Sequence, residues 1–316
     1  MSNPPHAFRP SALRRLARLL RARALQCWLG RQSPPSRLDE GETRASRSLS
    51  IIIPVKDAAR LTAKCLASLE RWAGEAEVIL VDDASREAET RELLRDYVSR
   101  NGWTLVTQAT STGHSRATAA GIARSSRHIL CLLNSDTIIS PYSWEAIVAA
   151  FASDPAVAIV GPSTSDTYGP QALQVARQGK LLWDLSHVAA FARRQKERPP
   201  QPPQEDLQFI GGFAFFIRRA TWEELDGFDP NLPDYGNELD LCLRAVAANL
   251  RCVWVKRSYI HHFGGSSYGG QLGGPDGIEA RSLAATRYVR EKATKLGLQL
   301  SLSTVSDCQL KSRSVF

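Results

Sequence analysis

The sequence predicts an α/β fold in which a mostly parallel central sheet is flanked by helices. Three features carry that reading: apolar β-branched runs, amphipathic helical segments between them, and polar or acidic residues closing several of the runs. Apolar runs without alternation mark strands buried on both faces, and strands separated by helix-length segments imply parallel crossovers.

The elements follow in order. "LSIIIPV", from residue 49, is the first strand, and Leu61, Cys65, Leu69 and Trp72 then recur at helical spacing. "EVILVDDAS" is a second strand, followed by the charged helical stretch "REAETRELLRDYVSR". "WTLVTQ" is a short third strand, and residues 115–125 read as helical. "HILCLLN", "YSWEAIVAAFA" and "VAIVG" give strand, helix and strand. Residues 162–206 lose this periodicity and close on the Pro-rich "KERPPQPPQED", which reads as a long surface excursion. Order returns with "FIGGFAFFIRR", where Gly211 and Gly212 precede a strand; "ELDLCLRAVAANL" is helical and "RCVWVK" a strand.

Composition narrows the function classes. The chain has 316 residues, 43% hydrophobic and 23% charged, enough to bury a sizeable core. Its net charge of +8 is concentrated in residues 1–48, which hold ten Arg against three acids. The remainder is close to balanced, which argues against nucleic-acid binding. "SALRRLARLLRARALQCWLG", residues 11–30, has the spacing of an Arg-rich amphipathic helix. Such an arm could lie on the inner face of a membrane, bind a partner or stay solvated. "RQSPPSRLDEGETRASRS" reads as a disordered linker. The expected organisation is a leader and linker over 1–48, one domain over 49–295 and a tail over 296–316.

The six cysteines contain no C-x-x-C. Cys65, Cys131, Cys242 and Cys252 sit in apolar patterns as small hydrophobes, which suits a reducing cytoplasm. No apolar stretch reaches the ~18 residues of a membrane span.

In a parallel sheet, ligands bind beyond the carboxyl ends of the strands. Asp57, the pair Asp82–Asp83 and the triplet Asn134–Ser135–Asp136 all fall there. Each has a plainer alternative as a turn former or helix cap. Alternation turns Asp82 and Asp83 apart, so at most one of them faces a ligand, and it likewise separates His261 from His262.

The motif order resembles the inverting family-two glycosyltransferases, nearest to rhamnosyltransferase-like enzymes of bacterial surface polysaccharides. The matching stretches are "SIIIPVKD", "VILVDDAS", "GHSRATAAGI", "LLNSDT", "FIGGFAFFIRRATWEELDGFDP", "YGNELDLCLRA" and "YIHHFGGSSYG", in family order over about residues 49–270. The resemblance implies the GT-A nucleotide-sugar-binding fold and a UDP- or dTDP-sugar donor. It further implies a glycan or lipid-linked acceptor, and Mg²⁺ or Mn²⁺.

By the same resemblance, Asp136 and His262 hold the metal, Glu238 is the general base, and Asp240 is a structural or secondary partner. Pro54, Asp57, Asp82, Asp83, Arg116, Asn134, Ser135, Gly211 and Gly212 contact the donor. Arg116 neutralises phosphate or orients the aspartates, while Gly211 and Gly212 admit a close approach or mark a bulge. One of the aspartates accepts the imide N–H of a uracil or thymine base. The sequence departs from the family pattern in three places: Asn134 replaces a carboxylate, Thr118 replaces an Asn, and Leu239 separates Glu238 from Asp240. A nucleotide-sugar-binding protein without transferase activity is the alternative those departures suggest. A sugar nucleotidyltransferase finds no support, because no Gly-rich, Lys-containing phosphate loop follows the first strand.

Overall fold

The computed structural model describes residues 33–264, apart from 168, 178 and 199, together with residues 274–300. The amphipathic stretch 11–30 and the tail beyond residue 300 lie outside the described residues. The strands are β1 (Leu49–Val55), β2 (Glu77–Asp82), β3 (Thr104–Thr107), β4 (Ile129–Leu133), β5 (Thr137–Ile138), β6 (Val157–Ser163), β7 (Gln204–Asp206), β8 (Ala214–Arg218), β9 (Arg251–Tyr259) and β10 (His261–His262). The helices are α1 (Glu40–Ser46), α2 (Ala59–Trp72), α3 (Ala88–Asn101), α4 (His114–Ile122), α5 (Trp144–Ser153), α6 (Gln174–Arg177), α7 (Leu185–Glu197), α8 (Arg219–Glu224), α9 (Asn237–Ala247) and α10 (Gly274–Lys295).

One sheet runs in the order β3-β2-β1-β4-β8-β6-β9-β7. β1, β2, β3 and β4 are mutually parallel, and β6 is parallel to β9. β8 runs antiparallel to β4 and β6, and β7 antiparallel to β9. The sheet is therefore mostly parallel, as expected, with reversed strands at one internal and one edge position. β1 and β4 are buried along their whole length, which is why their sequences show no alternation. One core lies between the sheet and α2 and α5, through Trp72, Trp144, Phe151 and Phe216. A second, on the opposite face, gathers Ile52, Val81, Ala117, Ile159, Phe215, Trp222 and Leu241. Cys65, Cys131, Cys242 and Cys252 are buried free thiols, in keeping with their apolar patterns.

Two segments are more ordered than their sequences suggest. The stretch expected to be a linker contains α1, capped by the Asp39 carboxylate on the Glu42 N–H. Glu42 is 2% exposed, and its carboxylate accepts the N–H groups of Trp144 and Glu145 at 2.7 and 3.1 Å. A residue of one helix thus caps the start of α5, whose own Ser143 makes no side-chain cap. Burial pushes the Glu42 carboxyl up to about 7, against the pull of those two N–H donors.

The stretch 162–206 contains α6, α7 and β7 rather than a structureless excursion. α7 opens on a capping box between Asp184 and His187, and it buries Val188, Ala189, Ala190, Phe191 and Ala192. Trp183, just before it, stacks on His261 with ring centroids 4.8 Å apart.

Candidate active site

The parallel register sends the carboxyl ends of β1, β2 and β4 to one edge of the sheet. Beyond β4 the chain turns sharply: Asn134 donates its N–H to the Phe213 carbonyl, and its own carbonyl accepts from Thr137 Oγ1. The turn leads into β5, which pairs antiparallel with β10 so that His262 stands opposite Thr137. Phe263 N–H also donates to the Asp136 carbonyl. This small second sheet brings a histidine from far along the chain to Asp136.

Asp136 is 1% exposed, and its Oδ1 lies 3.3 Å from His262 Nε2. His262 Nδ1 lies 2.5 Å from the Asp166 carbonyl, which can only accept, so Nδ1 carries a proton and Nε2 is the nitrogen turned to Asp136. Burial opposes protonation of His262, but the Asp136 carboxylate and the Asp166 carbonyl together carry its pKa above the ordinary imidazole value. Phe213 stacks on the ring. His261 points the other way, toward Tyr259, Trp183 and Phe263, as strand alternation requires.

A carboxylate facing a correctly tautomerised imidazole suits a divalent cation. Among the described residues no group of three or more His, Cys, Asp or Glu is placed to hold a metal. Asp136 and His262 are the two described residues that would face such an ion.

Glu238 occupies the first turn of α9 with its side chain 16% exposed. Its carboxyl rests against Gly212, where any Cβ would overlap it. Burial pushes its pKa up to about 7. Across from it, His114 Nε2 lies 3.8 Å from Glu238 Oε1. Burial holds the His114 pKa below the ordinary value, although the carboxylates of Asp234, Asp136 and Asp83 pull the other way. Asp234 Oδ1 lies 3.5 Å from the His114 N–H, and Asp83 Oδ2 holds the N–H of Gly113 beside it, so these carboxyls gather with Glu238 at the start of α4. His114 itself is the functional candidate that the motif reading passed over.

Other expected site residues make contacts within the protein. Asp57, at φ 56°, accepts the N–H groups of Arg86 and Glu87 with Oδ1 and so fixes the loop after β2. Asp82 Oδ1 accepts from Ser85 N–H, and its Oδ2 has no hydrogen-bond partner among the described residues. Asp83 accepts from Ser111 Oγ and from the Thr112 and Gly113 N–H groups, tying the start of α4 to the sheet edge. Pro54 lies within β1, opposite Val81 and beyond the last β1–β4 register pair, Ile52–Leu132. Ser135 is buried in the turn and Asn134 half-buried beside it.

The space beside Gly211 is filled by Thr167, and its N–H donates to Gln171 Oε1. Thr167 and Gln171, like Asp166, come from the stretch that showed no pattern in the sequence.

Two further expected residues lie away from this space. Asp240 is fully buried on the other side of α9, where Arg244 Nε reaches it at 2.7 Å and Lys292 Nζ at 2.6 Å. Two residues apart on a helix, it and Glu238 cannot share a face, and the cations of α9 and α10 claim Asp240. It anchors the helix and does not face the cleft. Arg116 is exposed and lines an outer groove with Trp222, Asp226 and Phe228. No hydrogen bond or ion pair joins it to Asp57, Asp82 or Asp83 among the described residues.

The comparisons with known proteins agree with this architecture. The chain is 30% identical over 226 residues to an N-acetylglucosaminyltransferase of Rhizobium meliloti, and 24% identical over 281 residues to the O-antigen biosynthesis protein RfbC of Myxococcus xanthus. These matches cover 68% and 87% of this chain but only 50% and 20% of those proteins. Among solved structures it is similar to the Pyrobaculum calidifontis mannosyltransferase PcManGT, solved with GDP-Man and Mn²⁺, with TM-score 0.52, 14% identity, and coverage of 97% and 85% of the two chains. It is also similar to GalNAc-T7, solved with UDP, GalNAc and Mn²⁺, with TM-score 0.54, 17% identity, and coverage of 77% and 48%. At such identities these likenesses concern the fold, which is GT-A. Residues 50–225, more than half of the chain and the whole run from β1 through α8, match the model of glycosyl transferase family 2, so the sheet edge built around Asp136 belongs to a member of that family.

Proposed function

We propose that this domain transfers a sugar from a UDP- or dTDP-sugar to a hydroxyl of a glycan or lipid-linked acceptor in surface polysaccharide synthesis. The observation that carries this reading is Glu238, a carboxyl that burial raises to about 7 and that rests against Gly212, next to the Phe213 ring stacked on His262. A base must be poised near working pH to accept a hydroxyl proton and release it afterwards. In the proposed step Glu238 takes the proton of the acceptor hydroxyl, and the oxygen attacks the anomeric carbon. The bond from that carbon to the diphosphate oxygen breaks as the new one forms, which inverts the configuration. Asp136 and His262 would hold Mg²⁺ or Mn²⁺, which supplies Lewis-acid neutralisation of diphosphate charge. Asp82 Oδ2 is the acceptor offered to a base imide N–H. The name of the Myxococcus xanthus relative, an O-antigen biosynthesis protein, supports the polysaccharide setting.

Residues 11–30 would bring the domain to the inner face of the membrane. No helix among the described residues is long and apolar enough to cross one.

The test supplies UDP-, dTDP- and GDP-sugars with Mn²⁺ and follows release of the nucleoside diphosphate. Release with one donor class is expected, together with a Glu238→Gln variant that keeps nucleotide affinity and loses turnover. Nucleotide binding without turnover in the parent would favour the non-transferring alternative that Asn134 suggests. The absence of both binding and release would sink the proposal.

A further inference from the structure

The Glu238 carboxyl is confined on two sides. The Gly212 backbone blocks one, and His114, the first residue of α4, stands on the other at 3.8 Å. Several ties hold His114 in place. Gly113, at φ 87°, turns the chain into the helix, and the Asp83 carboxylate accepts its N–H. Asp234 Oδ1 takes the His114 N–H at 3.5 Å, and the next residue, Ser115, bonds the Leu232 carbonyl and accepts from Asn237 Nδ2. Asn237 is the residue before Glu238, and its Oδ1 accepts the Glu238 N–H. The two side chains are thus fixed to one another through a shared network as well as facing each other.

The charged and titratable groups around this pair are Asp83 from the end of β2, Asp136 from the β4–β5 turn and Asp234 from the loop before α9, all acting on His114. Glu238 also acts on Cys242, one turn along α9. Burial raises the Glu238 carboxyl to about 7 and lowers the His114 imidazole below its ordinary value, so it disfavours opposite charges on the pair. What remains is a neutral imidazole beside a carboxyl that must ionise to act. A small rotation of the Glu238 side chain closes 3.8 Å to hydrogen-bond distance, about 2.9 Å. Contacts of this kind lengthen in free enzymes and tighten with substrate.

We infer that His114 is a positioning residue for Glu238: its ring N–H donates to the ionised carboxylate, aims the second oxygen at the acceptor hydroxyl and favours the form that accepts the proton. The inference rests on the reading of Glu238 as the base. No atom is gained or lost by His114. The proton passes from the hydroxyl to Glu238 and then to solvent, while the imidazole N–H stays in place.

The test needs no identified donor in its first arm. Full-length protein labelled with ¹³C at the glutamate carboxyls is titrated by NMR, with Glu238→Gln assigning the Glu238 signal. His114→Phe fills the space but removes the donor, and His114→Gln restores an N–H near the Nε2 position. The Glu238 midpoint is expected to rise by about half a unit or more in His114→Phe and to return toward the parent value in His114→Gln. In the second arm, the acid limb of kcat/KM for nucleoside diphosphate release should move with that midpoint, with thermal melting confirming that each variant is folded. A Glu238 midpoint and acid limb unchanged in folded His114→Phe would overturn the inference and leave the base assignment standing. If Glu238→Gln keeps full turnover, the base assignment fails instead, whatever the NMR shows.

Discussion

Glu238 should cost the protein stability, and that cost should be visible without any substrate. The perturbation is Glu238→Gln, which keeps the shape of the side chain and removes its charge. Burial raises the carboxyl from 4.5 in the free side chain to about 7 in the folded protein. The folded state therefore holds its proton more tightly than the unfolded state. Stability from this source is fully present below pH 4.5 and is lost as pH rises through about 7. The full difference is about 3 kcal/mol at 1.36 kcal/mol per pKa unit, an order-of-magnitude figure for a side chain that is 16% exposed. Glu238→Gln should match the parent at pH 4, gain through neutrality and lead by about 3 kcal/mol above pH 8. Urea denaturation across that range measures it. A difference that stays flat with pH would refute the burial argument, because a packing effect does not titrate. The expected gain also illustrates how a site poised for chemistry is held at the expense of the fold.

Gly212→Ala should place a methyl where the Glu238 carboxyl now rests, displacing the base while leaving the backbone intact. Turnover is expected to fall more than ~10-fold with little change in melting temperature, since ångström-scale misplacement of a catalytic group is costly. Lys292→Met should leave fully buried Asp240 to Arg244 alone. The expected loss is about 2 kcal/mol in chemical denaturation, the 26% exposure of Lys292 discounting the full cost of breaking a buried pair. Glu42→Ala should unpair the Trp144 and Glu145 N–H groups at the start of α5 and lower stability by about 1–2 kcal/mol, read by the same denaturation assay.

How much of this was legible in the sequence depended on which force fixed each element. β1 and β4 were plain because strands buried on both faces can be written only in apolar residues. The reversal of β8 was not, since "AFFIR" is buried alike in either direction and direction resides in its neighbours. α7 escaped because its buried face leans on three alanines beside Val188 and Phe191, between charged and Pro-rich flanks.

At the site, the opposed orientations of His261 and His262 followed from strand alternation alone. The unequal fates of Glu238 and Asp240 were half visible. Helical spacing separates them, and Arg244 one turn on already offers Asp240 a cation, but Lys292, the second one, lies more than fifty residues away. His114 had no local signature at all. A single histidine at a helix start acquires meaning only when α9 brings Glu238 to it.

The buttress between α9 and α10 has a consequence for how the protein matures. Lys292 joins Asp240 to Asp229, and Val289 and Ala293 pack with Leu232, Leu239 and Leu243. A nascent chain that has left the ribosome only as far as residue 263 already holds every strand of the sheet and both members of the Asp136–His262 pair. The helix carrying Glu238 still lacks its ammonium clamp and its apolar backing at that stage. The backing of that helix is thus translated some thirty residues after the last strand described.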